Sequence, residues 1–344
     1  MNQQRESSGR RHRFAARLLE RGWAPPREWE EHRLWEIVDG GVLGATRHLA
    51  LSEDLLARIL RERGTADQRL ARARLAAEVI ASTRGEEAPV IANGLDLLFR
   101  DLPEEASRAT AELAGRLEAS VERGQTLRKS LVREAARTLG PDARILAFDY
   151  SSTVASIVLN LFEAGELENL VVPESRCIAG GRRYLEAFQP AGIPVHYLPD
   201  AALDYAISLS GCVLLGAESF HADGGFFNTV GSRPLAERAR AAGLQVYAAV
   251  EWRKLDTRTY ARPAADPPLR DFGDVLLGEA GEAEPVPDTR CPELERIPPE
   301  TVTALLTEEG PVRPEEVNRR GRLLFPSPVT ELPGAAGEDS RHAE

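Results

Sequence analysis

The chain is poor in cysteine. Its 344 residues hold three, Cys177, Cys212 and Cys291, far apart and odd in number. Neither a disulfide framework nor a CxxC metal site fits that spacing. A reducing cytoplasm is the simplest compartment for such a protein. The six histidines show no HxxxH spacing, so no structural metal is expected. No apolar run approaches the roughly 18 residues that a membrane span needs, so no membrane partner is expected. The basic, polar start, Met1 to Arg13, has no apolar core behind it. It reads as a disordered tail rather than a secretory signal. Positive charge is also short: 43 Lys and Arg stand against 54 Asp and Glu, a net charge of −11. That excludes a general nucleic-acid binder, which shows a basic face, while leaving room for a local basic pocket for a phosphate. No internal repeat is visible. What remains is 42% apolar and 28% charged, a globular composition.

Residues 14–140 read as a helical domain. Apolar residues at helical spacing begin at Phe14, and Pro25 and Pro26 break the run. A second helix is expected over Ser52–Arg63, with Leu55, Leu56, Ile59 and Leu60 on one stripe and Ser52 as its cap. Others are expected from Ala66 to about Ser82, around Ala92–Arg100, and as one long helix from Glu104 to Leu139. Gly140-Pro141 stops the last.

After Pro141 the rhythm changes. Apolar runs at Ile145–Phe148, Leu170–Val172, Val195–Leu198, Val213–Leu215, Val246–Val250 and Val275–Leu277 read as strands. Helix-length segments at Thr153–Glu163, Gly181–Phe188, Ala201–Leu209 and Arg233–Ala242 lie between most of them. Alternating strands and helices predict an α/β fold with a parallel sheet over 141–330. Right-handed crossovers then bring all strand C-termini to one edge. The Pro-, Gly- and acid-rich Glu279–Glu295 reads as a surface loop, and 331–344 as a disordered tail.

That edge carries the chemistry. The strands end in Asp149-Tyr150-Ser151, in Glu174-Ser175-Arg176-Cys177, in Asp200, in Glu218 with a Gly224-Gly225-Phe226-Phe227-Asn228 loop, and in Glu251 with Arg253 and Lys254. The stretch from Leu214 to Ser232 is an apolar strand emptying into a polar, glycine-rich loop ahead of a helix, where open α/β sheets put their ligands. Acids, hydroxyls, an arginine and a lysine in one crevice suit a polar anionic ligand such as a sugar phosphate.

Four passages resemble one family. Glu174-Ser-Arg-Cys-Ile-Ala-Gly-Gly-Arg182 is similar to an ESRP…GGR pattern, and Gly192-Ile-Pro-Val followed by Asp200-Ala-Ala to GIPV…D-A. Gly216-Ala-Glu-Ser…Asp223-Gly…Asn228-Thr-Val-Gly-Ser232 resembles GAD-x-I…NG…NKIGT. Leu305-Leu-Thr-Glu-Glu-Gly310…Pro314-Glu-Glu-Val317 resembles ITEEG…P-E-V. Their order and spacing, over about 40–325, resemble the family joining the α, β and δ subunits of eukaryotic translation initiation factor 2B to methylthioribose-1-phosphate isomerase and ribose-1,5-bisphosphate isomerase. The resemblance implies a helical N-terminal domain, a Rossmann-like C-terminal domain, and a homodimer or higher homo-oligomer.

It also implies a site. The isomerases use a cysteine after the first strand and the aspartate of GAD; Asp149 and Glu218 stand at those positions. Thr229 replaces the lysine of NKIGT, Leu43-Gly44-Ala45 matches the phosphate-binding RGA turn only in part, and Arg84 matches a TRPT-type arginine.

The expected activity is isomerisation of a phosphorylated pentose or related sugar phosphate, with Asp149 and Glu218 as the acid–base pair and no metal or organic cofactor. The alternative is a non-catalytic sugar-phosphate- or nucleotide-binding regulatory protein, in which both acids bind ligand hydroxyls or cap helices. Arg84, Arg176 and Arg182 are phosphate clamps or structural ion-pair partners. Gly44, Ala45, Ser151 and Asn228 complete the expected binding set, with Asn228 a ligand donor or a bare turn residue. Lys254 lines the crevice or sits on solvated surface. Cys177 replaces the missing cysteine or is inert. His221 assists proton transfer or packs in a loop.

Overall fold

A computed structural model describes residues 45–277 and 287–327, with the side chains of 45–47 and 83–87 excepted. The expected N-terminal tail, the run from Phe14, Gly44 and the tail from residue 331 lie outside the described residues. The chain divides into two compact units, the first comprising the chain up to Gln125 and from Ser327 onward, the second running from Thr126 to Pro326. The sequence places its boundary at Pro141 instead. The division falls inside a helix that the sequence assigns wholly to the first domain.

The first unit is helical. It contains α1 (Ala45–Leu60), α2 (Ala66–Glu87), α3 (Pro89–Phe99), α4 (Ala106–Glu118) and the start of α5 (Ser120–Leu139). Leu55, Leu56, Ile59, Ile80, Leu95 and Leu113 are fully buried in its core. Gly94 is required where α3 meets α1, because a Cβ there would lie 2.5 Å from Leu49. Two expectations are corrected. Ser52 is no cap: α1 starts at Ala45, and the Ser52 hydroxyl donates to the His48 carbonyl at 2.8 Å, one turn back. The long helix from Glu104 is two abutting helices parted at Ala119. The i to i−4 bonds nevertheless continue from Ala119 N to Gly115 O and from Arg123 N to Ala119 O, both 3.0 Å.

The second unit is α/β. Strands β1 (Ala143–Phe148), β2 (Leu167–Pro173), β3 (His196–Leu198) and β4 (Cys212–Leu215) belong to its main sheet. Next come β5 (Ser219–His221), β6 (Phe226–Thr229), β7 (Gln245–Ala249), β8 (Leu255–Asp256) and β9 (Leu269–Asp271). The last are β10 (Arg290–Pro292), β11 (Leu294–Ile297), β12 (Ala304–Thr307) and β13 (Gly310–Val312). The helices are α6 (Ser152–Glu163), α7 (Gly180–Phe188), α8 (Leu203–Ser208), α9 (Ser232–Ala241), α10 (Gly273–Leu277) and α11 (Val317–Leu324).

The main sheet runs β13-β12-β7-β4-β1-β2-β3, and every pair except β12–β13 is parallel. Chain order reverses at β1, between β2 and β4, so the crevice beyond their carboxyl ends is the ligand position of a doubly wound sheet. Ile145, Leu170, Val172 and Leu214 are fully buried, as a parallel sheet covered on both faces demands.

Three expectations fail here for local reasons. Val275–Leu277 is no strand: Asp271 Oδ1 accepts the Gly273 N–H at 2.8 Å, and the Val275 and Leu276 N–H groups both bond to Phe272 O, closing the short helix α10. The sixth parallel strand is β12 instead. Within Glu279–Glu295, residues 290–292 form β10, and β11 begins at Leu294. The glycine-rich loop is a β-hairpin, β5–β6, inside a second sheet ordered β11-β6-β5-β8. Its turn is closed by His221 N to Gly225 O and Gly224 N to His221 O, both 2.8 Å. Gly224, at φ +88, is required there twice over, since a Cβ would also meet Pro314 Cα at 2.3 Å.

Candidate functional site

Asp149 is the first residue after β1 and lies in the left-handed region at φ +59. Ser175 and Ala179, in the loop after β2, also have positive φ, at +47 and +52. Strained backbone of this kind costs roughly 1–3 kcal/mol per residue and gathers at functional sites. Three of the five such non-glycine residues lie at the carboxyl edge of β1 and β2; Asp101 and Asp142 lie elsewhere.

The Asp149 side chain is buried, 7% exposed. Its Oδ1 accepts the Tyr150 N–H at 2.7 Å, and its Oδ2 accepts the Thr229 hydroxyl at 2.6 Å. Gly180, at the start of α7, gives it room: a Cβ there would stand 2.2 Å from Oδ1. Burial, and secondarily the charge of Glu218, push the Asp149 carboxyl up from 3.8 to about 6, against the two hydrogen bonds and the Arg183 guanidinium. An acid in that range takes and gives protons near neutral pH.

Glu218 follows β4 and is exposed, its N–H bonded to Phe227 O at 2.9 Å in the second sheet. Lys254 donates from Nζ to the Ala217 carbonyl at 2.6 Å, which places an ammonium beside the Glu218 backbone. Ser151 caps α6, accepting the Val154 N–H at 3.4 Å and donating its own N–H to the Tyr184 hydroxyl at 3.1 Å. Gly216 lets β4 approach it, since a Cβ would lie 2.6 Å from Ser151 Cβ.

The other expected groups have partners of their own. Asn228 is buried, and its amide donates to Ser232 Oγ at 3.0 Å. Arg182 is exposed and pairs with Glu186 at 3.7 Å along α7. Arg183, one residue on, is the α7 guanidinium that acts on Asp149. Arg176 is exposed, and its N–H joins Ser175 N–H on the Asp200 carboxylate at 2.9 and 2.8 Å. Glu251 is buried in an ion pair with Arg253 at 2.6 Å. Gly44 lies outside the described residues, as do the side chains of Ala45 and Arg84.

Cys177 makes no activated thiol, because burial, with Cys291 and Asp200 nearby, raises its pKa. Thr229, Gly180 and Arg183 were missed as partners of Asp149. The positive-φ demand on residue 149 leaves no mark in sequence spacing, and the contacts span up to 80 residues.

His221 is buried on β5, edge-on to Phe227 with ring centroids 4.8 Å apart. Among the described residues neither ring nitrogen has a hydrogen-bond partner. Burial, then Arg296, lowers its pKa from 6.5 to about 4. Kept neutral in this way, the imidazole makes stability depend on pH. The unfolded chain takes up the proton first, so stability is complete above pH 6.5 and falls as pH drops toward 4. The loss reaches about 3 kcal/mol. Urea unfolding at pH 7 and pH 4.5 checks this, and His221→Phe should flatten the difference.

Residues 45–277 and 287–327 contain no group of three or more acids, histidines or cysteines that could hold a metal, and no helix long and apolar enough to cross a membrane.

A doubly wound α/β unit with one acid buried and a second exposed at its switch point places this fold in the Rossmann-like class. The chain belongs to the initiation factor 2 subunit family, whose pattern matches residues 44–314. It is 29% identical over 294 residues to a ribose 1,5-bisphosphate isomerase of Haloferax volcanii, covering 81% of this chain and 88% of that protein. It is 27% identical over 173 residues to the α subunit of translation initiation factor 2B of Caenorhabditis elegans, covering 50% and 55%. Its fold matches the crystal structure of 5-methylthioribose 1-phosphate isomerase from Pyrococcus horikoshii, with a TM-score of 0.67, 20% identity, and coverage of 86% and 87%.

Proposed function

We propose that the protein isomerises a phosphorylated pentose or a related sugar phosphate, with Asp149 and Glu218 as its acid–base pair. The observation that carries this is the Asp149 carboxyl, held in strained backbone at the switch point and pushed up to about 6. In converting a cyclic aldose 1-phosphate to a ketose 1-phosphate, hydrogen moves from C2 to C1 with its electron pair. The ring oxygen leaves C1 and gains a proton, while the C2 hydroxyl loses one. C2 is oxidised and C1 reduced, so no external oxidant is needed. Asp149 supplies the proton to the departing ring oxygen, and Glu218 receives the one from the C2 hydroxyl. Lys254 faces the anionic ligand, with Ser151, Arg176, Arg182 and Asn228 as its other binding groups. The same reading has the chain working in the cytoplasm as a homodimer or higher homo-oligomer, without a metal or organic cofactor.

The test is to incubate the protein with ribose-1,5-bisphosphate and with methylthioribose-1-phosphate and to follow carbon and phosphorus NMR. A ketose phosphate should form from at least one of them. If neither turns over, the isomerase reading fails.

One observation favours the second reading, a regulatory protein that binds a sugar phosphate or nucleotide without turnover. Both carboxylate oxygens of Asp149 already accept a hydrogen bond within the protein. Calorimetry separates the two: tight binding of a phosphorylated ligand recovered unchanged supports regulation.

A further inference from the structure

Asp149 and Thr229 are 80 residues apart in the chain and meet through one hydrogen bond of 2.6 Å. Thr229 reaches that position because β6 pairs with β5 on one side and β11 on the other, and its side chain is buried, 3% exposed. The other groups acting on the Asp149 carboxyl are few. Tyr150 gives its N–H from the same turn, Glu218 approaches from beyond β4, and Arg183 acts from α7. The Tyr184 hydroxyl, also on α7, already accepts the Ser151 N–H. Thr229 is therefore the one neutral side chain, among the described residues, that donates a hydrogen bond to this acid.

We propose that Thr229 is a positioning residue that sets the acid strength of Asp149. A hydroxyl donated to a carboxylate favours the ionised form over the neutral one. Thr229 thus opposes burial and the Glu218 charge, both of which favour the protonated acid. It also fixes one of the two carboxyl oxygens. This rests on the reading of Asp149 as the proton donor, but its direct readout does not need turnover.

The experiment is a carbon-13 NMR titration of carboxyl-labelled aspartate in the full chain, with the Asp149 signal identified by its loss in Asp149→Asn. Thr229→Val should raise the Asp149 midpoint by about one pH unit. Thr229→Ser keeps the hydroxyl and should leave it within about 0.3 unit of wild type. Glu218→Gln should move it the opposite way, downward. Thr229→Ala carries the same expectation as the valine variant should the latter not fold. In turnover, the alkaline limb of the pH profile should rise by the same amount in Thr229→Val and return in Thr229→Ser, whereas a merely structural loss lowers activity at every pH. An Asp149 midpoint that is unmoved or falls in both Thr229→Val and Thr229→Ala overturns the proposal. A raised midpoint without turnover of either sugar phosphate upholds the role of Thr229 and removes the isomerase reading.

Discussion

Asp149→Asn is expected to lower turnover at least about 10²-fold while making the protein more stable at pH 7. The carboxamide has the shape of the carboxyl. Its oxygen can still accept the Tyr150 N–H that now lies 2.7 Å from Oδ1, and its nitrogen can donate to the Thr229 hydroxyl oxygen that now lies 2.6 Å from Oδ2. What it cannot do is exchange a proton. The stability gain follows from the raised pKa. The unfolded chain releases its proton near 3.8 and the folded chain near 6, so folded stability falls as pH rises across that window. At pH 7 the buried charge costs up to about 3 kcal/mol, which asparagine removes. Urea unfolding at pH 4 and pH 7, beside steady-state rates, checks both halves. Unchanged kcat/KM, or a variant less stable than wild type at pH 7, contradicts the account. Greater stability with lost activity is the signature of an acid kept for chemistry rather than packing.

Gly180→Ala is the second large effect. The added Cβ would stand 2.2 Å from Asp149 Oδ1, 2.9 Å from Tyr150 N and 3.1 Å from Asp149 Cα. Backbone strain at Gly180 is not the issue, since it does not have positive φ. The neighbours are the difficulty. Two of the three atoms are backbone, and the third belongs to a carboxylate held by two hydrogen bonds. Something in the β1–α6 turn must shift, and displacements near 1 Å cost about 10²-fold in rate. Forcing a methyl into a filled site should also cost about 1–3 kcal/mol. Gly115→Ala in α4 is the control: nothing lies within 4 Å of its Cβ, and helix propensity should make it neutral or slightly stabilising. Thermal unfolding and turnover of both variants test the contrast. If Gly180→Ala behaves like Gly115→Ala, the site does not depend on this close approach.

Asp149 and Gly180 mark where sequence reading reaches its limit. The alternating apolar runs and helical segments of 141–330 were legible because the central parallel strands are buried on both faces and the crossover helices carry an apolar stripe. That pattern alone puts Asp149, Ser151 and Glu218 at one sheet edge. The second sheet was not legible. Ser219–His221 and Phe226–Thr229 are too short to show a period, and their strand character comes from pairing with Leu255–Asp256 and Leu294–Ile297 far along the chain. Val275–Leu277 misled for the opposite reason: an apolar run looks like a strand until the Asp271 side chain closes it into a helical turn.

The sequence by itself determined the α/β class, the edge on which the acids gather and the family. Those follow from local periodicity, net charge and the order of short motifs. Only the tertiary structure decided what the acids are. Thr229 becomes the partner of Asp149 because β6 is fixed between β5 and β11, and Gly180 becomes indispensable because α7 begins against the β1 turn. Arg183 acts on Asp149 while Arg182 pairs with Glu186, because successive residues on a helix point in different directions. Proton affinity depends on burial, on two hydrogen bonds and on the charges of Glu218 and Arg183, brought together from separate elements. That sum exists only after the chain has folded.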